Sequence, residues 1–181
     1  MPTRGVTWGE GDFDKSASAA TAVIKTASTD TIASDAGPTS FATQVSLNTD
    51  LVGIAVGDAL RVTCRGVFGT FGIAGSLRVE LRNSGTALLD TGAQTVAAGL
   101  TARGWWLEGL LVGLTASTSE CQGTFHFSNS GRLAESMDME NAGTIAAGIG
   151  SGNLTVTVTW GTADADNTIT LRQFVAEHIG G

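Results

Sequence analysis

The chain has 181 residues, of which 42% are hydrophobic, 15% are charged and 25 are glycine, and its formal net charge is −7. A chain of this length buries roughly 70% of its unfolded surface, which suits one domain whose core needs no disulfide staples. The ten Lys and Arg residues are scattered, and this argues against a nucleic-acid partner or an anionic membrane, because both require clustered positive charge.

The first forty residues differ in composition from the rest. The start, MPTRGVTWGEGDFDKS, lacks the apolar stretch of a secretory signal. The following SASAATAVIKTASTDTIASDAGPTS is rich in Ser, Thr and Ala, and the breaker pair Gly37 and Pro38 lies near its end. We therefore predict that residues 1–40 form an extended N-terminal arm with little core of its own, and that residues 41–181 form the folded domain.

From Phe41 onward, apolar residues recur at every second position in short runs separated by turns rich in Gly, Ser, Asn and Asp. This alternation predicts about eight to ten antiparallel strands. The turn NSG at residues 83–85 predicts a β-hairpin, and the longer connections at 92–104 and 135–152 predict crossings between two sheets. The predicted fold class is all-β, an antiparallel jelly-roll (Greek-key) β-sandwich with an N-terminal extended arm.

Two cysteines occur, Cys64 in RVTCRGVF and Cys121 in SECQGTFHF. Each shares its parity with apolar neighbours, which places both thiols on the inward face of a strand. We therefore predict two buried free thiols. A disulfide is the alternative if the two strands face each other closely.

The acidic loop between the last two predicted strands is a candidate calcium site. Asp164, Asp166 and Asn167 alternate like the start of a calcium loop, but the glycine and distal glutamate of an EF-hand are missing from the sequence. Asp and Asn also favour turns because they bond to their own backbone. We therefore predict a plain hairpin turn here.

The histidines provide little for catalysis. His126 and His178 are too few for a three-histidine zinc site. His126 lies between Phe125 and Phe127, so its parity places it on the outer face of a strand. Nucleophile-elbow, dinucleotide-binding and P-loop motifs are missing from the sequence. We therefore predict that the chain is not an enzyme and that it uses no cofactor and no metal.

The tryptophans are candidates for interfaces, because aromatic faces bind sugars and anchor protein contacts. Trp105 and Trp106 are adjacent, so on a strand one enters the core while the other covers the exterior. Trp160 ends a strand and is expected to plug the edge of the core. The exterior tryptophan indicates an interface.

The arm combines isolated apolar anchors with acidic side chains. Trp8 and Phe13 stand in a polar setting, so they add little to a core but can fill pockets on a partner. A glycine-rich terminus does not hold catalytic carboxylates at a fixed separation, so its acidic residues indicate a patch that faces a partner. The predicted partner-binding residues are Trp8, Glu10, Asp12, Phe13, Asp14, Trp105 and Trp106.

The domain contains five segments in a distinctive order. They are VGDALRVTCRGVF, GSLRVELRNSGTALLDTGA, LTARGWWLEGLLV, CQGTFHF and LTVTVTWGTADADNTITLRQFVAE. In this order they resemble a family of small virion proteins of tailed bacteriophages. The resemblance covers residues 41–179, and its most specific parts are residues 57–62 and 160–170. Relatives often carry small polar residues where Asp164 and Asp166 stand, so the acidic character of that loop departs from the family pattern.

The resemblance implies a structural virion protein whose jelly-roll sandwich forms a homotrimer. The leading expectation is a capsid cement or decoration protein on the capsid exterior, assembled in the host bacterial cytoplasm. Its implied partners are further copies of itself and the major capsid protein, which the arm would grip. The alternative is a head or tail fibre or spike module that binds a host receptor or glycan through its exposed tryptophan and loop ends.

Overall fold

A computed structural model describes residues 22–33, 37–51, 53–70, 75–128, 135–164 and 166–179. Within these ranges the chain forms eleven β-strands, and no helix occurs among them. The strands are β1 (Ala22–Ala33), β2 (Thr39–Ser46), β3 (Ala59–Gly69), β4 (Gly75–Asn83), β5 (Thr86–Asp90), β6 (Gln94–Val96), β7 (Arg103–Thr115), β8 (Thr118–Phe127), β9 (Glu135–Ile145), β10 (Asn153–Trp160) and β11 (Thr168–Ile179).

The strands form two antiparallel sheets. The six-stranded sheet has the order β1-β11-β3-β7-β8-β9, and the second sheet has the order β2-β10-β4-β5 with β6 beside β4. Successive strands alternate between the sheets from β1 to β4 and again from β9 to β11, which is the winding of a jelly roll. Strands β8 and β9 extend the first sheet beyond this arrangement. The predicted jelly-roll-like β-sandwich is therefore confirmed.

The core fills the space between the sheets because apolar residues alternate along the strands. On β7, Trp105, Leu107 and Leu111 are buried, whereas Glu108 and Leu110 point outward. An aromatic cluster forms part of this core, with ring centroids 5.6 to 6.3 Å apart in the contacting pairs. Its members are Phe41, Phe68, Trp105, Phe125 and Phe127. Such ring contacts stabilise the fold beyond the free energy gained by burying the apolar area of the rings.

The predicted hairpin and both predicted crossings occur. Strands β4 and β5 pair around Ser84 and Gly85, whose φ angles are 47° and 91°. Two consecutive positive φ angles define the tight turn that matches the twist of a hairpin. Residues 92–104 lead from β5 in one sheet to β7 in the other, and residues 135–152 contain β9 and the return to the opposite sheet.

The sandwich begins earlier than the sequence predicted. Residues 22–33, which we assigned to an extended arm, form the edge strand β1 and pair with β11 from Ala22 opposite Glu177 to Ala33 opposite Thr168. Ile32 is buried in the core. An edge strand is stabilised by backbone hydrogen bonds to its neighbour and needs few large apolar side chains. The Ser, Thr and Ala content of β1 therefore gave no strand signal in the sequence. Residues 1–21 lie outside the described residues, and their role as an arm stays a prediction.

The acidic loop is not a hairpin turn, contrary to the prediction. It connects β10 to β11, and these strands belong to different sheets. The loop is nevertheless closed by its own polar groups: Asp164 accepts the N–H of Asn167 on its carbonyl oxygen at 2.9 Å and the N–H of Asp166 on its carboxylate at 3.0 Å. The prediction that Asp and Asn form a turn here is therefore confirmed. The prediction that the turn joins two paired strands is wrong, because the chain crosses to the other sheet.

Candidate functional site

The outer face of the six-stranded sheet carries an open groove, with a volume of about 450 Å³, across its central strands β3, β7 and β8. Its floor contains Gly109 and Gly123, which lie directly opposite each other on β7 and β8. On their inner side lies Leu89 of the other sheet, whose Cδ1 would be 2.6 Å and 2.8 Å from a Cβ added at these glycines. The missing side chains let Leu89 pack directly against the backbone of the sheet, beneath the groove.

Polar side chains from three strands line the groove. Two rows across the sheet contain Thr63, Glu108 and Thr124, and then Arg61, Leu110 and Gln122. Side chains two positions apart on a strand share a face, so the two rows lie roughly 6.6 Å apart. Hydroxyl, amide, carboxylate and guanidinium groups therefore converge on one concavity, where they supply both hydrogen-bond donors and acceptors.

An aromatic pair adjoins one end of the groove. Trp106 and His126 are cross-strand partners in the row next to Glu108 and Thr124. Their rings stack with centroids 4.4 Å apart and an interplanar angle of 16°, and both side chains are half-buried. The predicted outward positions of His126 and of one tryptophan are confirmed. The stack extends the groove with a flat apolar surface.

The described charged side chains around the groove include both signs. Arg61 Nη1 lies 3.2 Å from Glu177 Oε2 on β11. Arg65, the cross-strand neighbour of Trp106, and Glu108 add one further charge of each sign. These four side chains supply two charges of each sign, so they give the groove no surplus positive charge.

A second surface, which we call the apolar end, lies where β7 finishes. Two large apolar side chains are exposed there, Val56 at 60% on the loop before β3 and Leu114 at 37% on β7. A cavity of about 360 Å³ adjoins them and is lined partly by Ile54 and Ile149. Clustered exposed apolar side chains of this kind mark contact surfaces more often than scattered ones do.

The loop that carries Val56 is held firmly against the sandwich. Gly57 donates its N–H to the carbonyl oxygen of Gly113 at 2.8 Å, and Gly113 donates to Asp58 at 3.1 Å. The carboxylate of Asp58 also accepts the N–H of Ala55 at 2.8 Å and lies 2.7 Å from Nε2 of His178. Hydrogen bonds to β7 and β11 therefore hold the loop that carries Val56 in place.

The outer face of the second sheet is polar and carries a charge network. The buried carboxylate of Glu80 lies 3.2 Å from Arg78 and 3.0 Å from Arg82. Arg78 also donates to both oxygens of Asp90, at 2.9 and 2.5 Å. The hydrogen bond from Arg78, together with the N–H of Gly92, holds the pKa of Asp90 below its ordinary value, against the opposing effect of burial. This network ties β4 to β5 on the surface of the sheet.

The predicted partner-binding residues have different outcomes. Trp105 is only 1% exposed, so as a partner contact it was wrong: the core contains it, and its neighbour Trp106 is on the surface. Whether Trp106 binds a partner stays a prediction. The remaining predicted residues lie outside the described residues; they are Trp8, Glu10, Asp12, Phe13 and Asp14.

The other candidates fit structural roles. Cys64 and Cys121 are buried and free, as predicted, and burial raises the pKa of Cys64 and raises that of Cys121 to about 11. Trp160 is buried at the end of β10, also as predicted. In the part of the chain that the structure describes, no group of three or more His, Cys, Asp or Glu side chains is placed to hold a metal ion, and no helix is long and apolar enough to span a bilayer.

The sequence did not predict the groove. Gly109 and Gly123 are fourteen positions apart, and nothing in either local sequence shows that they pair. Their neighbours Leu110 and Gln122 follow the ordinary alternation of a strand and do not mark the site. A signal was available in the two glycines that interrupt otherwise well-formed strand patterns, because glycine inside a strand often marks a close approach of backbones.

No protein-family model and no curated protein sequence matches the chain. Among solved structures, the chain is similar to the CBM2 module of the evolved Dit of Lactobacillus casei BL23 phage J-1, at 12% identity and a TM-score of 0.37 over 77% of this chain and 69% of that chain. It is also similar to a structure of infectious bursal disease virus, Gx strain, at 14% identity and a TM-score of 0.35 over 87% of this chain and 41% of that one.

A third similar structure is an engineered GH43 glycoside hydrolase, at 12% identity and a TM-score of 0.35 over 76% of this chain and 31% of that one. Likenesses at these TM-scores support no inference about function. The function proposed below therefore depends on the surfaces of this chain and on the sequence resemblance.

Proposed function

We propose that the chain is a structural protein of a tailed-phage virion, a capsid cement or decoration protein that acts as a homotrimer and not as an enzyme. The resemblance of residues 41–179 suggests the class. The observation that supports assembly is the apolar end, where Val56 and Leu114 are exposed beside a cavity. An apolar surface of this kind gains free energy when a partner covers it.

A second copy of the chain is the partner that fits this end. Val56 is 60% exposed on a hydrogen-bonded loop, and the adjoining cavity has Ile54 and Ile149 in its lining. A knob and a pocket on the same surface form a head-to-tail contact, which closes into a ring when the rotation between copies permits it. Threefold closure around the apolar end would bury these side chains in one central contact.

The arm supplies the proposed contact with the capsid. Trp8 and Phe13 would fill pockets on the shell, while acidic Glu10, Asp12 and Asp14 would meet basic patches there. Trimerisation and capsid binding would then use separate surfaces of the chain. The fibre or spike alternative shares the trimer but has a different position on the particle.

Two measurements test this proposal. Light scattering should give three times the monomer mass of 18.4 kDa, and Leu114→Asp or Val56→Asp should shift the mass to that of the monomer, whereas Glu120→Gln on the outer face of β8 should not. A wild-type monomer at micromolar concentration would contradict the trimer. Electron cryomicroscopy of purified particles then locates the protein: many copies over the shell support a cement protein, and a few copies confined to a vertex, neck or tail support the alternative.

A further inference from the structure

We propose that the groove on the outer face of β3, β7 and β8 binds a neutral oligosaccharide, with Trp106 as the surface on which one sugar ring packs. This binding activity is separate from the proposed assembly, because the apolar end and the arm carry that role. The observation behind it is the juxtaposition of a polar concavity with the half-buried, outward-facing Trp106–His126 stack.

The size of the groove suits a small extended ligand. Its volume of about 450 Å³ lies within the range of small-molecule sites, which is about 300–1,000 Å³. From Leu110 to Trp106 the groove and stack follow five residues of β7, and the four steps between them span roughly 13 Å. A short run of linked sugar rings matches this length, whereas a single small metabolite would fill only part of it.

The backbone around the groove cannot bind a peptide as an added strand. Strands β3, β7 and β8 each have a hydrogen-bonded neighbour on both sides, so their N–H and C=O groups are already used in the sheet. Strand addition requires a free edge. A ligand in the groove must therefore be recognised by side chains alone.

The side chains of the groove favour a neutral polar ligand. Gln122 presents an amide with two donors and an acceptor, and Thr63 and Thr124 present hydroxyl groups that both donate and accept. Glu108 adds acceptors, while the charge of Arg61 is matched by Glu177 at 3.2 Å. A polyanion would find no surplus positive charge here, and a lipid chain would leave these polar groups without hydrogen bonds.

The aromatic stack supplies the apolar part of the site. Sugar rings present apolar C–H surfaces as well as hydroxyl groups, and a flat indole covers such a surface. Trp106 is fixed by its stack on His126, at a centroid distance of 4.4 Å. A side chain held in place before binding loses little conformational entropy when a ligand arrives. Trp106 is therefore already in a conformation that can bind a sugar ring.

Isothermal titration calorimetry on the full chain tests the site with a defined panel. The neutral probes are the hexasaccharides of glucose in α-1,4 and β-1,4 linkage, of xylose, of mannose and of N-acetylglucosamine, and the other two probes are heparin and a mixture of unstructured peptides. We expect at least one neutral hexasaccharide to bind. Trp106→Ala and Gln122→Ala should each weaken that binding about tenfold, the effect of losing one good contact.

Glu120→Gln is the matched control, because Glu120 is exposed on the same face of β8 but does not line the groove. It should bind as the wild type does. Gln122→Ala changes an exposed side chain and so keeps the test valid if Trp106→Ala does not fold. The proposal is overturned if no neutral hexasaccharide binds, if binding survives both groove variants unchanged, or if only heparin or the peptide mixture binds.

Discussion

Trp105 on β7 donates its indole N–H to the backbone carbonyl oxygen of Thr170 on β11 at 3.3 Å, although strand β3 lies between them. The indole reaches across β3 at Gly66, its cross-strand partner. A Cβ at Gly66 would be 1.8 Å from the Thr170 oxygen and 2.7 Å from the indole nitrogen. Glycine at this position is therefore what lets Trp105, one of the two buried tryptophans in the described core, satisfy its polar group.

Gly66→Ala should destabilise the protein by at least about 3 kcal/mol or prevent folding, because the new methyl group collides with backbone that cannot move away cheaply. Urea denaturation followed by tryptophan fluorescence measures the loss. Gly104→Ala on the adjacent strand is the control, since a Cβ there meets nothing within 4 Å, and it should change stability by less than about 1 kcal/mol. Equal stability of the two variants would contradict this account of Gly66.

Glu80→Ala should destabilise the protein by about 2–3 kcal/mol. The buried carboxylate lies between Arg78 and Arg82, and its removal leaves Arg82 without its ionic partner in a partly buried position. The same chemical denaturation measures the effect. The exposed pair of Arg61 and Glu177 is the comparison: Glu177→Ala should cost less than about 1 kcal/mol, as surface pairs do. If the two losses are alike, burial does not decide the strength of the Glu80 contacts.

Acid should weaken the fold partly through Asp90. Its pKa in the folded protein is below the ordinary value of 3.8, chiefly because Arg78 donates to it. A carboxyl group with a lowered pKa stabilises the fold above the unfolded value, and this stabilisation is lost as the pH falls through the folded pKa. The unfolding free energy of the wild type should therefore decline below about pH 4 more steeply than that of Asp90→Asn. Parallel curves for the two proteins between pH 6 and pH 2.5 would show that Asp90 does not contribute.

The two thiols should be inert in the folded protein. Burial raises the pKa of Cys121 to about 11 and raises that of Cys64 as well, and the thiolate is the reactive form. A thiol reagent such as Ellman's reagent at pH 8 should therefore label neither cysteine until denaturant is added. The denatured chain is the positive control, where both should react. Rapid labelling of the native protein would mean that the strands carrying them open often.

Local alternation carried most of the fold prediction. The adjacent Trp105 and Trp106 had to point to opposite faces of a strand, and the pair Ser84 and Gly85 had to form a tight turn, because both outcomes follow from backbone geometry at neighbouring residues. The jelly-roll class followed from many short strands with two long connections. These features depend on interactions within a few residues, which the sequence displays directly.

The errors and omissions concern relations between distant residues. The loop at Asp164 was correctly predicted to turn, but the sheet that the chain enters next is decided by the pairing of β11 with β1 and β3. Strand β1 was missed because its partner, not its own composition, makes it a strand. The groove required the register that sets Gly109 opposite Gly123, and register is a property of the assembled sheet.

Strand β11 lies between β1 and β3 in the finished sheet, so neither of these strands is fully paired until the ribosome has made residues 168–179. During synthesis, β1 has no neighbour in its sheet, and β3 has an open edge. Open edges invite pairing with other chains. We therefore expect a chain truncated before residue 168 to aggregate rather than to fold as a smaller domain.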